Sequence, residues 1–270
     1  MAGDADNHRA LQRDSHRQVV FGRRQGHKLK PQRQALMRDL LPQIEIDLGD
    51  QERPEASATL PEPTPFSEST PYEAIDPRSL FAKGTKKIWL EIGFGAGEHL
   101  AWQAARHPDI GFIGCEPFLN GVSALLDRIA RENLSNVRIF PDDARLLMAR
   151  LSSGGIDRLS VLFPDPWPKS RHQKRRMMSA KNIASFADIM ADGSEFRFAS
   201  DHAEYGCWTL LKMLAEPQFR WLAEGPDDWR KRPADWPETR YEGKAREADR
   251  TPLFLRYERV ARSAVRPNSA

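Results

Sequence analysis

An apolar run passes directly into three closely spaced glycines in the stretch Ile88-Trp89-Leu90-Glu91-Ile92-Gly93-Phe94-Gly95-Ala96-Gly97-Glu98-His99. The apolar residues predict a buried strand. The glycines predict a tight turn whose backbone can adopt positive φ and approach a ligand closely. Strand, glycine turn and helix in this order are typical of the first unit of a parallel α/β sheet that binds a nucleotide-like cofactor. The dinucleotide fingerprint G-x-G-x-x-G would require a third glycine at position 98, where this chain has Glu98.

Strands and helices alternate from Lys86 onward. Strands are predicted at 88–92, 110–115, 136–140, 157–163 and 194–199, with a further pair near 218–222 and 252–259. Helices are predicted near 97–106, 119–133, 144–150, 179–191 and 202–215. This alternation predicts a doubly wound, mostly parallel α/β sheet. Ligands of such sheets bind outside the carboxyl ends of the strands. We therefore expect one shared site formed by Gly93–Gly97, Glu116, Asp143, Asp165 and Asp201.

A second informative stretch is Phe163-Pro164-Asp165-Pro166-Trp167-Pro168-Lys169. Its three prolines fix φ and remove backbone donors, which predicts a stiff loop that holds one carboxylate and one indole. The thirteen residues from Lys169 to Lys181 then contain six lysines and arginines and no acid. A stiff loop that holds a carboxylate and an indole beside a cationic strip indicates chemistry on a base or another planar group of a polyanion.

The N-terminal part of the chain differs in composition from the rest. The net charge is only +3, but residues 1–33 carry eight lysines and arginines against three acids, which predicts a basic disordered tail. Residues 34–79 are expected to form a short helix over 34–41, stopped by Pro42, and then a proline-rich acidic linker. The catalytic domain is expected at 80–262 and a C-terminal tail at 263–270.

Cysteine content and hydropathy bound the location of the protein. Two cysteines, Cys115 and Cys207, argue against a disulfide framework. The sequence has no apolar stretch of transmembrane length and no signal-peptide pattern at its start. We therefore expect a cytoplasmic protein that does not bind a membrane. The sequence leaves open whether it is a monomer or a homodimer. No metal is expected, because neither His99 nor His172 has partners at metal-ligand spacing.

Seven ordered groups of residues between about 80 and 260 resemble one known family. They are Glu91-x-Gly93-x-Gly95-x-Gly97-x-His99, Glu116-Pro117, Asp143-Ala144, the 163–169 stretch, Arg171-His172-x-Lys174-Arg175-Arg176, Ser200-Asp201 and Thr239-Arg240-Tyr241-Glu242. In these groups the chain resembles the bacterial tRNA (guanine-N7)-methyltransferases, which are class I S-adenosylmethionine-dependent enzymes. It departs from the family pattern at Asp142, usually Gly, and at Tyr241, usually Phe.

The resemblance implies a fold, a reaction and a set of site residues. The fold is a seven-stranded, Rossmann-like sheet with a flexible basic N-terminal extension. The reaction is methyl transfer from S-adenosylmethionine to N7 of the guanosine at position 46 in the tRNA variable loop. The implied cofactor-binding residues are Glu91, Gly93, Gly95, Gly97, Glu116, Asp143 and Asp165, and Asp165 is also the implied catalytic residue. The implied substrate-binding residues are Lys169, Asp201, Thr239, Arg240, Tyr241 and Glu242. The strip is expected to bind RNA through Arg171, His172, Gln173, Lys174, Arg175 and Arg176.

Each of these residues also has a simpler structural interpretation. The glycines can form an ordinary strand-to-helix turn, and Asp143 can cap the helix that follows it. Asp165 can serve the turn alone. Trp167 can pack in the core as well as it can stack on a base. The cationic strip can be a solvated surface.

Other function classes differ in what they require. A small-molecule methyltransferase needs the glycine turn but not the cationic strip, whereas a non-catalytic RNA-binding relative needs only the strip. A methyltransferase that acts on another RNA needs both. A dehydrogenase needs the missing glycine at position 98.

Overall fold

The computed structural model describes residues 23–49 and 73–264. Within them, seven strands form one sheet in the order β3-β2-β1-β4-β5-β7-β6. The strands are β1 (Lys87–Ile92), β2 (Ile110–Cys115), β3 (Val137–Phe140), β4 (Ile156–Leu162), β5 (Met190–Ser200), β6 (Phe219–Trp221) and β7 (Leu253–Arg259). Pairing is parallel from β3 to β5, whereas β7 is antiparallel to both β5 and β6. The predicted doubly wound, mostly parallel α/β sheet is confirmed.

Helices connect the strands and cover the sheet. Those of the described residues are α1 (Pro31–Asp39), α2 (Leu41–Ile44), α3 (Glu98–Arg106), α4 (Leu119–Glu132), α5 (Ala144–Met148), α6 (Ala180–Ile189), α7 (Ala203–Leu214), α8 (Asp227–Arg230) and α9 (Arg240–Glu247). Short 3₁₀ helices lie at Pro77–Leu80, Ser170–Arg175 and Arg262–Ala264.

The centre of the sheet is buried on both faces. Every residue of β2 is buried, and so are Ile88, Leu90 and Ile92 of β1, as expected for parallel strands with helices on both sides. The strand order reverses at β1, because β2 and β3 extend from it in one direction and β4 and β5 in the other. The carboxyl ends of β1 and β4 therefore flank the switch point, where ligands of such sheets bind.

The structured part of the chain begins at an earlier residue than the sequence predicts. The prediction of disorder is wrong for residues 23–33. Arg24 donates a hydrogen bond to Asp142, and a helix begins at Pro31. Residues 1–22, most of the predicted linker and the last six residues lie outside the described residues.

The folded domain was expected to begin near residue 80, but it also includes residues before that position. Leu41 and Ile46 are buried in the same hydrophobic clusters as residues of the sheet and of the helices that cover it. Pro42 does not end the helical segment as predicted: it lies in the first turn of α2, where its missing N–H is not needed. None of the helices in 23–49 and 73–264 is long and apolar enough to cross a membrane.

Candidate active site

The glycine turn follows β1 at the switch point. Gly93, Gly95 and Gly97 have φ of 75°, 58° and 74°, a region that side-chain-bearing residues rarely adopt. Apart from Gly93 and its two chain neighbours, no heavy atom of the described residues lies within 4 Å of where a Cβ of Gly93 would be, so the turn is open there. A Cβ at Gly97 would instead lie 2.6 Å from a methyl group of Leu125 on α4. The turn therefore requires glycine both for its backbone conformation and for its close packing on α4.

Glu116 connects the end of β2 to this turn. One carboxylate oxygen accepts a hydrogen bond from the Gly95 N–H (2.8 Å) and the other accepts one from the Phe118 N–H (2.9 Å). Desolvation raises the pKa of Glu116, and the two backbone bonds partly offset that rise. Asp165 is close enough to raise the pKa of Glu116 further. Asp165 and Glu116 are therefore near one another, and Glu116 keeps acceptor capacity for a further donor.

Glu91 lies at the end of β1 and is paired with a histidine. Its Oε2 is 2.6 Å from His99 Nδ1, and both residues are buried. They line a small pocket together with Gly93, Phe163, Thr239 and Tyr241. The pocket is thus bounded by the turn, the loop after β4 and the start of α9.

Asp143 is the N-cap of α5, and its carboxylate accepts a hydrogen bond from the Arg145 N–H (3.0 Å). The Arg145 guanidinium forms an ion pair with the same carboxylate. The capping interpretation of Asp143 is therefore correct. Its neighbour Asp142 accepts a hydrogen bond from the Asp143 N–H.

The loop after β4 holds Asp165 at the mouth of the site. Phe163 and Trp167 both have positive φ (51° and 41°), so the segment between them is an unusual, fixed bend. Asp165 is solvent-exposed and accepts no hydrogen bond from the described residues. Desolvation by the surrounding protein nevertheless raises its pKa. An acid that no described residue engages, held by a fixed loop, is available to a ligand.

Arg176 holds this loop from beneath, which corrects its predicted role in RNA binding. It is 1% exposed. Its Nε donates to the Pro166 carbonyl (2.8 Å) and its Nη2 to the Trp167 carbonyl (3.3 Å). Its guanidinium also forms a bidentate pair with Glu204. A side chain in these contacts cannot reach a phosphate.

The remaining strip is divided between exposed and packed residues. Lys169, Arg171 and Lys174 are exposed, and none of them forms an ion pair with a residue in 23–49 or 73–264. Arg175 is half-buried, and its guanidinium carbon lies 5.0 Å from the centre of the Trp167 ring. The Trp167 ring also lies near that of His172, at 5.8 Å between centroids. Gln173 is half-buried. Trp167 therefore packs within the strip, not in the domain core.

Residues 239–242 reach the glycine turn from the far end of the chain. Thr239 caps α9 by accepting a hydrogen bond from the Glu242 N–H (3.4 Å). The Tyr241 ring stacks on Phe163 at 6.2 Å between centroids, and a Cβ at Gly95 would lie 2.9 Å from it. Arg240 lies 3.9 Å from Glu98.

Two predicted substrate residues are engaged by other side chains. Glu242 accepts a hydrogen bond from Arg232 (3.0 Å). Asp201, at the end of β5, is paired with Arg250 (2.8 Å) and does not line the pocket.

The sequence did not identify Gln103 and Asp235 as neighbours of the site. Gln103 Nε2 lies 3.2 Å from His99 Nε2 and donates to the Asp235 carbonyl (2.7 Å). The four-residue spacing of His99 and Gln103 on one helix face was a usable signal. No sequence signal indicated Asp235, which lies 132 residues from Gln103.

The sheet order, the glycine turn at the switch point and Glu116 after β2 together define a class I S-adenosylmethionine-dependent methyltransferase. The family described as "Putative methyltransferase" matches residues 85–255. A tRNA (guanine-N(7)-)-methyltransferase of Rhodospirillum rubrum is 46% identical over 247 residues, which cover 90% of this chain and 89% of that protein. One of Zymomonas mobilis is 43% identical over 241 residues, covering 89% and 94%. The chain belongs to the tRNA (guanine-N7)-methyltransferase family, as the resemblance indicated, and its cofactor is S-adenosylmethionine.

Solved structures show a more distant likeness in fold. An aminoglycoside resistance methyltransferase, NpmB1, gives a TM-score of 0.47 at 15% identity, covering 66% of this chain and 89% of that one.

Proposed function

We propose that the protein methylates N7 of a guanine in tRNA, and that its target is the guanosine at position 46 of the variable loop. The observation that carries the proposal is that Asp165, on a fixed loop beside Glu116 and near exposed cations, has no hydrogen-bond or ion-pair partner among residues 23–49 and 73–264. The names of the relatives support tRNA as the substrate and N7 of guanine as the methylated atom. The resemblance at 163–169 and 239–242 supports the position in the loop.

Three parts of the chain fit the cofactor. Glu116 keeps acceptor capacity for ribose hydroxyls, and the open face at Gly93 allows close approach to the backbone. Oε1 of Glu91 accepts no hydrogen bond from the described residues, so it is available to the ammonium group of the methionine end. Asp143 caps α5 and is paired with Arg145. A contact with the adenine of the cofactor would be a second role of this residue. When bound, S-adenosylmethionine supplies an electrophilic methyl group.

Asp165 fits the electrostatic demand of the reaction. Guanine N7 carries a lone pair and no proton, so the chain does not need to supply a general base. Methylation leaves a positive charge on the purine, which a nearby carboxylate stabilises. The same carboxylate can accept hydrogen bonds from the N1 and N2 edge of guanine.

The exposed cations fit the RNA backbone. Lys169, Arg171 and Lys174 lie on the segment that follows the Asp165 loop, and their charges are not neutralised by neighbours in the described residues. Phosphate binding by these side chains would bring the target nucleotide to Asp165. Arg176 supports this arrangement by fixing the loop.

The test uses tRNA transcripts that differ at one atom. A transcript with guanosine at position 46 should accept labelled methyl groups, whereas one with 7-deazaguanosine there should not, because it lacks N7. Equal labelling of both transcripts would show that the target is another atom or position. Labelling of an unrelated RNA instead would support a methyltransferase with a different substrate.

A further inference from the structure

A chain of four polar groups runs from the pocket into the neighbouring loop. Glu91 Oε2 lies 2.6 Å from His99 Nδ1. Gln103, one helical turn after His99, places its Nε2 at 3.2 Å from His99 Nε2 and at 2.7 Å from the Asp235 carbonyl oxygen. Glu91, His99 and Gln103 are all less than 10% exposed. The chain is therefore shielded from water, and its hydrogen bonds depend on one another.

The backbone carbonyl of Asp235 determines the direction of every bond in this chain. A carbonyl oxygen only accepts, so the Gln103 atom that faces it is the amide nitrogen. The second hydrogen of that nitrogen points to His99 Nε2, which must then accept. A ring that accepts at Nε2 carries its proton at Nδ1 and donates it to Glu91. Gln103 thus selects the Nδ1–H tautomer of His99.

This tautomer orients the carboxylate of Glu91. The His99 N–H occupies Oε2, so Oε1 is the oxygen that remains available in the pocket. Without that bond the carboxylate could rotate, and a ligand ammonium would have to fix it on binding, at a cost in affinity.

The other end of the chain fixes the loop that leads into α9. Asp235 is held by Gln103 through its carbonyl and by Arg197 through its carboxylate (2.6 Å). The next residue, Trp236, is 3% exposed and packs edge-on against His99, at 6.0 Å between ring centroids. Thr239 follows three residues later at the start of α9. The position of residues 239–242 relative to Glu91 therefore depends on the same bonds.

We propose that His99 and Gln103 are positioning residues that couple the carboxylate of Glu91 to the loop that leads into residues 239–242 at the start of α9. Neither side chain needs to touch the reacting atoms. The link to the substrate rests on the tRNA methylation proposed above, and the link to the cofactor rests on the contact proposed there between Glu91 and the methionine end.

The first test reads the tautomer directly in the full chain. Long-range ¹H–¹⁵N spectra of protein labelled at histidine nitrogens should show His99 protonated at Nδ1 alone. The signal is assigned by its absence in His99→Asn. In Gln103→Glu, a carboxylate faces each ring nitrogen, and both nitrogens should become protonated. Protonation of wild-type His99 at Nε2 alone would overturn the proposal.

The second test separates positioning from stability. Gln103→Leu should raise the Kd for S-adenosylmethionine by about tenfold. It should also lower the single-turnover methylation rate at saturating cofactor. Gln43→Leu is the matched control, because Gln43 also donates to a backbone carbonyl (2.6 Å) but lies on the exposed surface of the N-terminal segment. It should change neither value.

A lowered melting temperature in Gln103→Leu with unchanged cofactor affinity would show that Gln103 is only structural and overturn the proposal. Failure of the wild type to methylate tRNA would refute the proposed function instead. The tautomer and the cofactor affinity would still decide this inference.

Discussion

Replacing Arg176 with lysine separates the two roles that a cation in this strip can have. Lysine keeps the positive charge, so a residue that binds phosphate would tolerate the change well. A residue that holds the loop through a guanidinium fork would not. The structure predicts the second behaviour, because three nitrogens of Arg176 make four bonds to Pro166, Trp167 and Glu204.

The size of the effect follows from these bonds. A lysine ammonium in the same place can keep one or two of the four. Loss of two charge-assisted hydrogen bonds should lower the free energy of unfolding by roughly 2 to 4 kcal/mol. The loop that holds Asp165 loses its support at Pro166 and Trp167, so the single-turnover rate should fall as well. Urea unfolding and single-turnover methylation measure the two quantities separately.

Salt-dependent tRNA binding provides the control. Arg176→Lys should give the same slope of log K against log salt as the wild type, because no phosphate contact is lost. Wild-type stability and turnover in Arg176→Lys, together with a flattened slope in Arg176→Ala, would refute the assignment of Arg176 to the loop.

Three further predictions concern the remaining charged groups. Glu116→Ala should weaken S-adenosylmethionine binding by about 1 to 3 kcal/mol because acceptors for the ribose are lost; unchanged affinity by calorimetry would contradict this. The double variant Arg171→Ala/Lys174→Ala should flatten the salt slope of tRNA binding by roughly one to two units without changing cofactor affinity; parallel salt plots would mean that both residues only face solvent. Because desolvation raises the pKa of Asp165, turnover should decline with falling pH at a higher pH than for an ordinary aspartate, as the carboxylate takes up a proton. Asp165→Asn should turn over slowly at every pH and lack this decline; the same decline in Asp165→Asn would assign it to another group.

The sheet could be predicted from the sequence because its signals are local. The apolar runs at β1 and β2 are buried on both faces, so they are continuous in sequence as well as in space. The glycine turn and Glu116 follow strands directly, and parallel strands bring their carboxyl ends to one edge. The placement of Glu116 and Asp165 in one site follows from that rule alone.

What the sequence could not show depends on contacts between distant residues. In the sequence, Arg176 is one more cation in a run without acids. Its partner Glu204 lies 28 residues further along the chain and reaches it only because α7 packs beside it. The same applies to Gln103 and Asp235. Residues 23–49 look polar on average, but Leu41 and Ile46 are buried in the core, and Leu36 and Met37 pack against it.

The most direct test of the central claim is to map the methyl group on tRNA after reaction with the wild-type protein and S-adenosylmethionine. N7-methylguanosine can be located by reduction and mild-base strand cleavage. We predict one new cleavage, at position 46, and its near absence with Asp165→Asn. A methyl group on another atom or at another position, or equal modification by Asp165→Asn, would contradict the account.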